Sequence, residues 1–129
     1  VALTIVGTIV LDLDPRGYFT DSIPVWKGTQ PLIEEWARVP PLPTSAHNLK
    51  YEVRGGTFSR VLIVSFEDDP GVIERWLRSC SGLTDPKCEI EHPGDGVIRY
   101  SYPGGGGAVR GEITHDPAHG KVRVRTYWS

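Results

Sequence analysis

Residues 61–80 read VLIVSFEDDPGVIERWLRSC, and inside this stretch the hydrophobic period changes from that of a sheet to that of a helix. Val61 to Phe66 is almost continuously apolar, as a strand covered on both faces requires, so it predicts the centre of a sheet. Asp69 then offers an N-cap, and Pro70 stands at the first helical position, where its missing N–H costs no bond. Val72, Ile73, Trp76, Leu77 and Cys80 recur at helical spacing, while Glu74, Arg75 and Arg78 fall on the other side. The pattern predicts an amphipathic helix from Pro70 to Ser79, ended by Gly82, with its stripe on the core. Burying Val72, Ile73 and Leu77 contributes about 1.5–3 kcal/mol each before the entropy of ordering them is subtracted.

Upstream, Leu49, Tyr51 and Val53 alternate with Lys50, Glu52 and Arg54, and Gly55-Gly56 then breaks the run. This predicts a hairpin whose first strand has one wet face. Pro40-Pro41-Leu42-Pro43 reads as a stiff connector, preceded by a short helix with Thr29 as N-cap and Leu32, Ile33 and Trp36 on one face. Val1 to Leu13 alternates with the period of a half-buried strand and is too short to span a bilayer alone. Downstream, 97–102, 108–115 and 122–128 read as a three-stranded meander. The expectation is one α+β domain over 1–129: an antiparallel sheet of five to six strands with two helices on one face. The element order contains the βαββαβ of a ferredoxin-like fold plus a C-terminal hairpin.

The length of 129 residues suits a single core. Lys and Arg total 14 against 16 Asp and Glu, a net charge of −2 that disfavours non-specific binding to nucleic acid or an anionic membrane. The chain has no Met and begins at Val1, which predicts a mature or trimmed chain whose only membrane contact would come through a segment upstream. Cys80 and Cys88 are the only cysteines, separated by a turn-rich segment. They are expected to form a disulfide, worth about 2–3 kcal/mol for so short a loop, and to place the protein in the periplasm, outside the cell or on an extracytoplasmic anchor.

Chemistry is sparsely written. His115 and His119 are weak metal candidates, since Pro117 and Gly120 mark a hairpin tip rather than a helix that would converge an i, i+4 pair. His92 and Asp95 join them only if two turns meet. Gly104 to Gly107 lacks the ending of a phosphate-binding loop and reads as a hairpin connection. Glu67, Asp68 and Asp69 fit a solvated strand end, and no motif asks for a cofactor. Arg99, Arg110, Arg123, Arg125 and Tyr127, with Glu112, are expected on one face of the meander, where arginine and aromatic groups anchor partners. The leading expectation is a non-catalytic extracytoplasmic interaction or accessory domain with a protein or cell-envelope partner. The alternatives are a small metal-dependent or hydrolytic enzyme built on the His/Asp cluster, and a ferredoxin-like binder of single-stranded nucleic acid.

Overall fold

The structure, a computed structural model, describes residues 23–55 and 60–128, with side chains from Gln30 onward. The strand expected over Val1 to Leu13 lies outside the described residues. Helix α1 (Ile23–Trp36) leads through the proline connector to the hairpin β1 (His47–Gly55) and β2 (Arg60–Glu67), followed by α2 (Pro70–Arg78). A 3-10 turn (Ser81–Thr84) precedes β3 (Glu89–Gly94), β4 (Val97–Pro103), β5 (Arg110–Asp116) and β6 (Lys121–Trp128). The six strands form one sheet in the order β1-β2-β6-β5-β4-β3, with every neighbouring pair antiparallel.

The α+β architecture is therefore as expected, and β2 lies inside the sheet with a neighbour on each side. The ferredoxin-like detail is not reproduced among the described strands. A split βαβ unit leaves room for one strand between its two, whereas β2 and β3, joined through α2, are separated by β6, β5 and β4. The chain closes this gap with a four-stranded meander that returns β6 to the side of β2.

One buried cluster holds the layers together. Ile33 and Ala37 of α1 and Ile73, Trp76 and Leu77 of α2 pack with Tyr51, Leu62, Val64, Phe66, Tyr102, Ile113, Val122 and Val124 of the sheet, so both helices cover the same face. The Trp76 ring meets Phe66 edge-on at 5.3 Å, and its Nε1 donates to the Pro41 carbonyl at 3.1 Å, which ties the proline connector to α2. Asp69 sits at the N-cap in extended conformation, yet its side chain makes no capping bond. Its own N–H is instead taken by Asp68 Oδ1 at 2.8 Å. Among the described residues no helix is long and apolar enough to cross a membrane.

Helix α1 begins earlier than the Thr29 cap predicts. Pro24 falls in its first turn, where proline is tolerated, while Pro31 stands inside and removes one ladder bond. Ile33 is buried and Trp36 half-buried as expected, but Leu32 is exposed. The helix ends in a Schellman arrangement in which the Val39 N–H reaches the Glu34 carbonyl at 3.1 Å. Arg38 occupies the left-handed position at φ 55°, where glycine is usual. Its guanidinium offsets this by binding Asp85 at 2.8 Å and the Pro103 carbonyl at 3.2 Å.

Candidate functional site

The meander turns one face to the helices and leaves the other uncovered by any described element. On β6, Val122, Val124 and Thr126 are buried beneath the helices, so the intervening Lys121, Arg123, Arg125 and Tyr127 project from the opposite face. Register carries this alternation to the neighbours. Arg110 is opposite Tyr127, Glu112 opposite Arg125, and Arg99 opposite Thr114, which is itself opposite Arg123. The five residues expected to share a face, Arg99, Arg110, Arg123, Arg125 and Tyr127, do share it.

Their surroundings differ. Arg99 lies between Glu91 at 3.9 Å and Glu112 at 4.0 Å, both at the outer limit of ion pairing. Arg125 stacks above the Tyr127 ring, its guanidinium carbon 5.5 Å from the centroid. Neither Arg110 nor Arg123 has an ion-pair partner among the described residues.

The sequence reading missed two contributors from the hairpin. Lys50 is opposite Ser65, and Ser65 is opposite Arg123, so β1 and β2 extend the same face. A groove of about 250 Å³ opens there, lined by Lys50, Glu52, Ile63, Ser65 and Arg123. Ile63 is only 6% exposed although it lies on the wet side, so the groove has an apolar floor beneath a polar rim. Glu52 is bonded by Arg54. The alternation of Lys50 along its strand was the available signal; which strand it would face was not.

The other sequence candidates are dispersed. His115 points to the helix side, is 7% exposed and leaves Nε2 buried without a hydrogen-bond partner. Burial lowers its pKa, and the nearby carboxylates of Glu74 and Asp116 oppose that shift. His119 is exposed in the turn 117–119, with Nδ1 2.9 Å from Asp116 Oδ2. That contact holds the Asp116 carboxyl below its ordinary range. The two imidazoles therefore serve different environments, His92 is exposed in β3 and Asp95 in the β3–β4 turn, and the described residues contain no group of three that could hold a metal. Asp68 is buried and structural, accepting from Ser45 Oγ at 2.7 Å. The glycine run is docked rather than open, since the Gly105 N–H caps the Trp36 carbonyl at 3.0 Å at the end of α1.

The disulfide expected between Cys80 and Cys88 is not formed: both are free thiols. Cys80 completes the stripe of α2 inside the core, with Sγ 3.4 Å from the Trp76 carbonyl oxygen, and burial pushes its thiol pKa up to about 12. Cys88 is half-buried, and desolvation followed by the Asp85 charge raises its pKa as well. The inference of an extracytoplasmic setting thereby loses the covalent link that motivated it. Comparison with known proteins finds no matching family model, no matching curated protein and no matching solved structure.

Proposed function

We propose that this chain is a non-catalytic interaction domain that receives a protein partner on the uncovered face of its sheet, through Arg99, Arg110, Arg123, Arg125 and Tyr127. The observation that carries this reading is the exposed Arg123 on strand β6, bonded on both sides within the sheet and without an ion-pair partner among the described residues. A wet antiparallel face normally pairs its charges across strands. Here Arg99 follows that habit and Arg54 pairs along its own strand with Glu52, while Arg123 and Arg110 have no ion-pair partner among the described residues. Arginine and tyrosine are also the side chains that most often anchor interfaces, because each combines a broad apolar surface with directional polar atoms.

The reading is tested by placing a photo-crosslinking benzoylphenylalanine at position 127 and, as a control, at the exposed position 75 on α2. A protein adduct formed in cells at 127 and not at 75, and lost on Arg123→Glu, is the expected result. Equal adducts at both positions, or an adduct at 127 indifferent to Arg123→Glu, would refute it.

A further inference from the structure

Register places Lys50, Ser65, Arg123, Thr114 and Arg99 in one line across five strands, from β1 through β2, β6 and β5 to β4. Cations and hydroxyls alternate along this line. Neighbouring strands are about 4.8 Å apart, so successive cations are about 10 Å apart and the line runs about 20 Å perpendicular to the strands. Lys50 and Arg123 have no ion-pair partner among the described residues, and they flank the groove floored by Ile63.

The lines on either side have a different character. One carries Glu52, Ile63, Arg125 and Glu112; the other carries Glu67, Lys121 and Asp116. Each holds two carboxylates against one cation. The central line is thus a positive lane, ended at β3 by Glu91, between two borders richer in carboxylates, and it favours one path for an acidic chain laid across the sheet.

The spacing selects a conformation for that chain. In a β-strand, side chains three residues apart point to opposite sides, while those two or four apart lie about 7 or 13 Å from one another. In a polyproline II helix, with three residues per turn and a rise of about 3.1 Å, every third side chain projects from the same edge at about 9 Å. An α-helix brings every seventh residue to a similar spacing, but its diameter of about 10 Å does not suit a groove of about 250 Å³.

Resting on the interaction role of this face, we propose that its partner is an acidic segment in polyproline II conformation. Carboxylates at every third residue bind Lys50, Arg123 and Arg99 in turn. The hydroxyls of Ser65 and Thr114 donate to the oxygens between them. Lys50 and Arg123 form the primary pair, because Arg99 must first be drawn from Glu91 and Glu112.

Fluorescein-labelled peptides of repeating Glu-Pro-Pro test this by anisotropy, beside a peptide of identical length and composition whose glutamates are gathered at alternate positions in its central part, with the remaining prolines at the ends. A helical peptide with glutamate at every seventh position and a single-stranded oligodeoxynucleotide complete the set. The Glu-Pro-Pro peptide is expected to bind most tightly, with an affinity that falls as salt rises. Lys50→Gln and Arg123→Gln should each weaken it about tenfold, a change of about 1.4 kcal/mol. Arg75→Gln on α2 should leave it unaltered. Melting curves of each variant verify that the fold persists. Equal binding of the two proline peptides, tighter binding of the helical peptide or the oligonucleotide, or no binding of Glu-Pro-Pro would each overturn the proposal. An adduct at position 127 that survives such a result would retain the interaction role and reject only the acidic segment; loss of both would reject the role itself.

Discussion

Replacing Gly111 with alanine probes a tight joint of the sheet. Gly111 is opposite Tyr102 in the β4–β5 pair, and a Cβ at this position would lie 2.4 Å from Tyr102 Cε1. A Cβ at Gly82, in the turn after α2, would lie 2.3 Å from the same atom. The ring has little freedom to withdraw, because Tyr102 is 2% exposed and its hydroxyl donates to the Ala37 carbonyl at 2.5 Å. An ordinary carbon contact needs about 1 Å more than is present. Overpacking of this kind costs about 1–3 kcal/mol, against which alanine recovers about 0.4–1 kcal/mol by restricting the unfolded chain. The net expectation for Gly111→Ala is a loss of about 1–2 kcal/mol, read as a lowered urea midpoint at constant slope from the fluorescence of the tryptophans. In a Tyr102→Leu background the clash has no partner, so the same substitution should become neutral or stabilising. A Gly111→Ala loss below about 0.5 kcal/mol, or a loss that persists without the Tyr102 ring, would show that the close approach has been misread.

Burial depresses the pKa of His115 from its ordinary value of 6.5, so the unfolded chain takes up a proton in a range where the folded chain does not. Stability is then fully present above 6.5 and falls as pH drops toward the lowered folded value; His115→Phe should flatten that limb, and urea midpoints measured above and below 6.5 decide it. For the thiols, iodoacetamide should modify Cys88 before Cys80 in the native protein and both in urea, as read by peptide mass, because only Cys80 is sealed in the core. Prior modification of Cys80 would place it outside the helix stripe. Asp85 is held below its ordinary carboxyl range first by the Arg38 hydrogen bond, so its contribution is present above 3.8 and vanishes as pH falls through the lowered value. Asp85→Asn should therefore lower the melting temperature near neutrality and leave it unchanged in strong acid; a pH-independent difference would assign the effect to packing instead.

The elements that the sequence announced are those whose period is enforced by burial. The 61–80 stretch supplied both a strand inside the sheet and α2, because Leu62, Val64, Phe66, Ile73, Trp76 and Leu77 all serve one core cluster and none could change face without exposing apolar surface. β3 had no such constraint. All of Glu89 to Gly94 is exposed, Pro93 interrupts it, and an edge strand held from one side needs no hydrophobic alternation. The early start of α1 was hidden by Thr29, which reads from sequence as an N-cap and here sits in the helix interior, two residues before Pro31. The disulfide failed for a related reason: a cysteine that completes a helical stripe has its direction set by the core, and spacing in sequence says nothing of that direction.

The face itself was half legible. Alternation along β6 assigned Arg123, Arg125 and Tyr127 to one side from the sequence alone, since each strand carries its own period. The line of cations is a property of pairing between strands, and it depends on β6 returning to lie beside β2 rather than on any local signal. A slip of one residue between β2 and β6 would set Arg123 beside a core-facing residue of β2 rather than Ser65 and dissolve the lane while leaving every strand assignment intact. The register is held because Val64 faces Val124 and Phe66 faces Val122 beneath the helices, so the buried face fixes the alignment of charges on the exposed one. It follows that a substitution in the core can alter recognition without touching the binding surface. Val124→Ala, which removes buried methyl groups at the middle of β6, should cost about 1–3 kcal/mol of stability. As long as the register holds, it should leave the preference for glutamate at every third position unaltered. A variant that stays folded with Ser65 still opposite Arg123, as read by cross-strand nuclear Overhauser contacts, and yet binds both peptide spacings equally would show that the charge line does not set the preference.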